Sequence, residues 1–264
     1  MELAGRRIVV TGASRGIGAA LARSLASRGA RPVLVARNQG DLEKIAADLG
    51  GAEIFAADVA QRDGVRTLAR ALEAEGPVDV LVNNAGVDLT GRLWELPEHR
   101  IEQLVAVNLT APMLLTRALV PAMLARGSGH IVNVSSLSGT NSLPGLAPYS
   151  ASKAGLSHFT AALRAELRGT PITTTLVEIG PVVSEMMDSV RSHAPTRRAV
   201  QRLARLRLSY DLPMDHVVAA IVDGIERQRR HVRLPRRNVL FPLLVEAPRR
   251  MTEWLLAGVD HQRD

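Results

Sequence analysis

The stretch Val9-Val10-Thr11-Gly12-Ala13-Ser14-Arg15-Gly16-Ile17-Gly18 joins an apolar run, Arg6–Val10, to a helix-period segment, Ala19–Ser27. A glycine turn between a strand and a helix lets the backbone approach a pyrophosphate closely, and the helix N-terminus offers it free N–H groups. The spacing is G-x3-G-x-G rather than the common G-x-G-x-x-G, and on the motif alone a strand–helix turn without a ligand stays open. Gly12, Ser14, Arg15, Gly16, Ile17 and Gly18 are the first candidate cofactor contacts.

Working outward, short apolar runs alternate with helix-period segments. Pro32–Ala36, Ile54–Ala57, Val78–Val82, His130–Val134 and Thr173–Ile179 read as further strands. Between them, Asp41–Leu49, Val65–Glu75, Ile101–Ala125 and Ser150–Leu167 read as amphipathic helices. Such alternation implies an α/β fold, a parallel sheet with helices on both faces. Beyond Ile179 the pattern changes. Met214–Gln228 predicts one more helix, and His231–Leu234 a last short strand.

The second strand bears on the cofactor. A carboxylate about 20 residues past the glycines would bind the ribose 2′-hydroxyl of NAD. The sequence there is Val35-Ala36-Arg37-Asn38, with no acid. Arg15 and Arg37 could instead pair with a 2′-phosphate, which favours NADP(H) over NAD(H). They could equally be surface arginines in an arginine-rich chain.

Tyr149-Ser150-Ala151-Ser152-Lys153 puts a tyrosine and a lysine four residues apart, on one face of a helix. The strand before it ends Asn133-Val134-Ser135-Ser136, and strand C-termini are where ligands bind in such sheets. Together these pieces resemble the short-chain dehydrogenase/reductase family in its compact single-domain form. The resemblance rests on TGASRGIG at Thr11–Gly18, Asp58-Val59, Asn83-Asn84-Ala85-Gly86, Asn108, Ser136, and Tyr149 with Lys153. It covers residues 5 to about 185.

This resemblance implies a Rossmann-type doubly wound parallel sheet of about seven strands, flanked by helices as a three-layer sandwich with a C-terminal helical extension. It implies an oxidoreductase that moves a hydride between NADP(H) and a carbonyl or secondary alcohol. Tyr149 would be the general acid/base and Lys153 its helper, lowering its pKa together with the oxidised nicotinamide and also bonding the nicotinamide ribose. Ser136 would bond the substrate oxygen. Asn108 would hold a water linking Lys153 to solvent. Asp58 and Val59 would lie at the adenine, and Asn84, Ala85 and Gly86 would line the cofactor. One departure is Glu178-Ile179-Gly180-Pro181-Val182-Val183-Ser184, where Ile179 replaces the family's proline. Gly180, Val182 and Ser184 are then the expected carboxamide-side contacts. Outside the family context Asp58 also suits a strand-end cap, Asn108 a helix kink, and Asn83–Gly86 a plain turn.

The substrate end is read from apolar residues. Leu137, Leu143, Val87, Met186, Met187 and Val190 are candidate walls under a lid at about residues 184–212, which suggests a hydrophobic ketone or alcohol of lipid, steroid or polyketide type. Met is also common core filler.

Composition sets the outer bounds. The chain has 264 residues, 46% of them apolar, enough for one domain with a large core. It has no cysteine, which excludes disulfides, thiolate catalysis and a zinc–cysteine site and suits a reducing cytoplasm. No metal site is expected. The first apolar run is too short for a signal peptide or a membrane span, so a cytoplasmic location is expected. The formal charge of +7 is nearly all arginine, Lys44 and Lys153 being the only lysines. It is concentrated between Arg191 and Arg250, with 14 arginines against 5 acidic residues. The basic, apolar extension at about 236–260, with Trp254, could rest on an anionic membrane surface or pack on this domain or a second subunit. No nucleic-acid motif accompanies the charge. A homodimer or homotetramer through Ile101–Ala125 and Ser150–Leu167 is the family expectation. Two other classes remain in play, a catalytically silent nucleotide sensor and a peripheral membrane interaction protein.

Overall fold

The computed structural model describes residues 1–141, 143–183, 185–205 and 210–235; at 185, 186, 189 and 191 it describes the backbone only. The extension at 236–260 lies outside the described residues. Seven strands form one sheet in the order β3-β2-β1-β4-β5-β6-β7, every pairing parallel. They are β1 (Arg7–Thr11), β2 (Arg31–Ala36), β3 (Glu53–Ala56), β4 (Val80–Asn83), β5 (Gly129–Ser136), β6 (Ile172–Ile179) and β7 (His231–Leu234). Among the described residues the α-helices are α1 (Gly16–Ala26), α2 (Gln39–Asp48), α3 (Arg62–Ala74), α4 (Glu98–Val105), α5 (Ala111–Arg126), α6 (Ala147–Glu166), α7 (Glu185–Ser192), α8 (Ala194–Arg205) and α9 (Met214–Glu226).

The alternation of side chains along β1 explains the layers. Ile8 and Val10 pack into a core with Leu21 and Leu25 of α1, Leu42 of α2 and Ile221 of α9. Val9 points the other way, into a core with Leu68 and Leu72 of α3 and Leu115 and Leu119 of α5. A strand buried on both faces needs no polar alternation, which is why the runs read as continuously apolar. Strand order reverses between β1 and β4, so the loops after Thr11 and Asn83 diverge and open a crevice at the strand ends.

The expected single helix Ile101–Ala125 is in fact α4 and α5 joined by a π turn, Ala106–Thr110. Pro112 supplies the reason. Its nitrogen has no proton for the Asn108 carbonyl four residues back, and its ring would crowd that carbonyl. The stretch 98–126 is long and apolar enough to cross a membrane by length and composition. Here α4 packs on α6, and α5 packs on α3.

Two buried polar groups fasten the sheet. Arg7, 4% exposed, bonds Glu53 and the carbonyls of Leu72 and Gly76. His130, fully buried on β5, sits between the hydroxyls of Thr173 and Thr175 at 2.7 and 3.1 Å. The Thr175 hydroxyl donates to the Arg229 carbonyl, so it accepts from Nε2–H, and Nδ1 accepts from Thr173. That arrangement holds a neutral imidazole, and burial lowers its pKa from 6.5 to about 4. Below pH 6.5 the unfolded chain takes up a proton that the folded one refuses until about pH 4. Stability should therefore fall between these values by on the order of 3 kcal/mol more in the wild type than in His130→Gln. Chemical denaturation of both proteins across pH 4–6.5 measures it, and parallel pH dependences would contradict it.

Candidate active site

A cleft of about 1640 Å³ runs across the strand ends. One end is the glycine turn. The N-cap of α1, Arg15, makes no side-chain capping hydrogen bond to the first helical N–H groups. Gly12, Ser14, Arg15, Gly16 and Ile17 line the cleft. Gly12 has φ +69, and a Cβ there would come within 2.9 Å of the Ala85 backbone. A Cβ on Gly16 would meet nothing, but its φ of +56 also demands glycine. These residues form a backbone cradle at an open helix N-terminus, which fits a pyrophosphate.

Gly18 is different. It does not line the cleft. A Cβ there would collide with the Gly12 carbonyl and lie 2.7 Å from Asn84 Nδ2. Its place is in the close packing of α1 on the turn, one step behind the contact surface.

Arg37 lies at the end of β2, exposed, on the same wall as Arg15. Asp58 and Val59 line the next segment, and Asp58 Oδ1 also accepts from the Ala60 N–H at 3.0 Å. Asn84, Ala85 and Gly86 follow. The Thr11 hydroxyl receives the N–H groups of Asn84 and Ala85, each at 3.0 Å, while Asn84 Nδ2 donates to the Thr11 carbonyl at 2.9 Å. The loops after β1 and β4 are thereby tied together across the strand reversal.

At the other end stand Ser136, Tyr149 and Lys153, all on the cleft wall. Ser136 ends β5, and its Oγ accepts from the Ser138 N–H at 3.1 Å. Tyr149 and Lys153 are one turn apart on α6, with Lys153 Nζ 5.9 Å from the centre of the Tyr149 ring. Nζ donates to the Val134 carbonyl at 2.9 Å. Burial lowers the Lys153 ammonium from 10.5 to about 8. Burial also raises the Tyr149 hydroxyl from 10.0 to about 12; a hydrogen bond with Ser136 opposes this, and the Asp88 carboxylate adds to it. The expected lowering of Tyr149 is therefore not a property of the protein alone. Desolvation penalises the phenolate more than nearby groups favour it.

Asn108 departs from expectation in place. It lies in the π turn, 1% exposed, behind the cleft wall. Its Oδ1 accepts from the Val87 N–H and its Nδ2 donates to the Val87 carbonyl, both at 2.9 Å, and to Ser152 Oγ at 3.2 Å. A Cβ on Gly86 would lie 3.5 Å from both Asn108 Oδ1 and Lys153 Nζ, so the two groups border the same glycine.

Gly180 and Val182 line the cleft, whereas Ser184 lies outside the described residues. A Cβ on Gly180 would sit 3.2 Å from Pro235, so glycine admits that close approach. Leu137, Leu143, Val87, Met187 and Val190 line the cleft; the Met186 side chain is outside the described set. Sequence reading missed a polar rim of Asp88, Arg100, Gln103 and Arg202. These come from three separate segments, and no local pattern joins them. The segment bearing α7 and α8 covers this end, held where Thr196 Oγ1 donates to the Pro144 carbonyl at 2.7 Å.

Residues 6–195 match the family described as short chain dehydrogenase. A short chain dehydrogenase of Pseudocercospora fijiensis is 35% identical over 240 residues, 84% of this chain and 77% of that protein. The ketoacyl reductase HetN of Nostoc sp. is 41% identical over 180 residues, 66% of this chain and 63% of its own length. A crystal structure of a variant actinorhodin polyketide ketoreductase with NADPH superposes with a TM-score of 0.78 at 34% identity, covering 87% of this chain and 95% of that one. A short chain dehydrogenase/reductase of Burkholderia phymatum in complex with NAD gives 0.78 at 28% identity, covering 100% and 99%. The chain belongs to the short-chain dehydrogenase/reductase family. It is an NAD(P)-dependent oxidoreductase of CH–OH and ketone groups.

The cradle yields a direct test. Gly18→Ala should push the Gly12 carbonyl out of place and weaken NADPH binding at least about tenfold, since the backbone itself has to shift. Nucleotide fluorescence titration reads this, and an unchanged dissociation constant would refute the packing role.

Proposed function

We propose that this chain reduces hydrophobic ketones with NADPH, using Tyr149 as the proton donor. The observation that carries the reading is the convergence of the Ser136 hydroxyl, the Tyr149 hydroxyl and the Lys153 ammonium on one wall of the cleft that also holds the glycine cradle. The bound nucleotide supplies the hydride. Ser136 donates to the substrate oxygen and fixes it beside Tyr149. Tyr149, kept protonated by burial, gives its proton to that oxygen as charge develops there. Lys153 places a cation one helical turn away, which favours the phenolate left behind. Asn108 acts here by holding Val87, and so the Gly86–Val87 edge, against Lys153.

Arg15 and Arg37 support NADPH over NADH, because both line the cleft and β2 is followed directly by Arg37-Asn38 rather than by an acid; Asp41 and Asp58 line the same region. Asp58 and Val59 take the adenine end, and Asn84, Ala85, Gly86, Gly180, Val182 and Ser184 the rest of the nucleotide. The apolar walls and the ketoacyl and polyketide reductase relatives support a substrate with an extended apolar body, such as a ketoacyl or polyketide-like chain. The chain would be a single domain, with residues 184–212 as the substrate lid. Exposed Val105, Met113 and Leu124 along α4 and α5 support pairing of two copies through these helices.

The test is NADPH oxidation over a series of hydrophobic ketones. Tyr149→Phe should cut kcat at least about a hundredfold with nucleotide binding retained. Arg37→Ala should lower the NADPH-to-NADH preference about tenfold, the worth of one charge-assisted hydrogen bond. Full turnover in Tyr149→Phe would refute the proton-donor role, and an unchanged cofactor ratio would refute the 2′-phosphate site.

A further inference from the structure

The core holds a buried ion pair that the proposed chemistry does not use. Arg233 of β7 donates from Nε to Glu178 Oε2 of β6 at 2.7 Å, and their side chains are only 8% and 2% exposed. Two charges in an apolar core cost more than a well-packed apolar pair of similar size.

Ser135, Glu178 and Arg233 are register neighbours on β5, β6 and β7. Glu178 Oε1 accepts from Ser157 Oγ at 3.4 Å. Ser157 Oγ lies 2.9 Å from Ser135 Oγ, and Ser135 Oγ donates to the Lys153 carbonyl at 2.9 Å. Lys153 is thus held at both ends by consecutive residues of β5, its carbonyl by Ser135 and its Nζ by Val134. Two hydroxyl hydrogens serve the three contacts between Lys153 and Glu178. The fixed carboxylate draws the Ser157 hydrogen toward itself, and the single Ser135 hydrogen is then shared between the Lys153 carbonyl and Ser157 Oγ, each 2.9 Å away. Without the carboxylate, Ser157 could turn its hydroxyl to the carbonyl four residues back in its own helix, which is that same Lys153 carbonyl.

We propose that Glu178, Ser157 and Ser135 are positioning residues for the reaction, a buried chain anchored by Arg233 that sets where the Tyr149–Lys153 turn of α6 stands against β5. The inference rests on the reading of Tyr149 and Lys153 as the proton-transfer pair. Misplacing reacting groups by about 1 Å can cost up to about a hundredfold in rate without loss of binding.

Three variants of the full chain test it: Ser157→Ala; Glu178→Gln with Arg233→Gln, which strands no charge; and all three changes together. The expected result is a fall in kcat of about tenfold in Ser157→Ala, with the NADPH dissociation constant within about twofold and a larger solvent deuterium isotope effect on kcat. The Glu178/Arg233 variant should fall similarly, and the triple variant no further, since the residues act as one chain. A lowered melting temperature with kcat and isotope effect unchanged would overturn the proposal, as would losses that simply add. If the Glu178/Arg233 variant does not fold, Ser135→Ala replaces it and should match Ser157→Ala. Tyr149→Phe separates the two readings. Its retained turnover would sink the proton-transfer pair itself, whereas an inactive Tyr149→Phe beside a fully active Ser157→Ala would sink only the chain.

Discussion

Desolvation of a half-buried phenol, Tyr149, and a buried ammonium, Lys153, on one turn of α6 is the constraint on which the cleft depends. Each is disfavoured in its charged form, so Tyr149 is driven up to about 12 and Lys153 down to about 8. Neither shift could arise on the surface. They require a helix, α6, laid against strands buried on both faces, with β5 ending where the cleft begins. The same desolvation favours the protonated phenol at Tyr149, which is what the proposed proton-donor role requires.

The parallel sheet supplies that setting. The reversal of strand order between β1 and β4 splays the loops on either side, and the Thr11 hydroxyl ties them together again through Asn84 and Ala85. One end of the resulting cleft is backbone, free of side chains at Gly12 and Gly16. The other is the polar cluster on β5 and α6.

Much of this was legible in the chain. The strands fall within two residues of their apolar runs, and β7 matches His231–Leu234, because continuous apolar stretches between helix-period segments have few other solutions in an α/β fold. The cleft residues followed from the glycine turn and from Ser136, Tyr149 and Lys153 in family order. The remainder was hidden for identifiable reasons. The π turn was signalled by Pro112, four residues after Asn108, but amphipathic period masked it. Gly18 and Asn108 act one layer behind the surface, and a motif names residues without saying which way they face. The direction of the Tyr149 shift depends on desolvation, a tertiary quantity. Glu178 in the otherwise uncharged run ITTTLVEI was a visible clue to a buried acid, yet its partners come from β5, β7 and α6.

The most direct measurement is an ultraviolet difference titration of tyrosinate, wild type minus Tyr149→Phe, with and without NADP+. Only one other tyrosine, Tyr210, is present, so the subtraction isolates Tyr149. Without nucleotide the difference signal should stay flat past the ordinary tyrosine value of 10, toward about 12, and it should move down when the cationic nicotinamide is bound. A tyrosinate step at or below pH 10 in the nucleotide-free protein would contradict the claim that burial holds the proton on Tyr149.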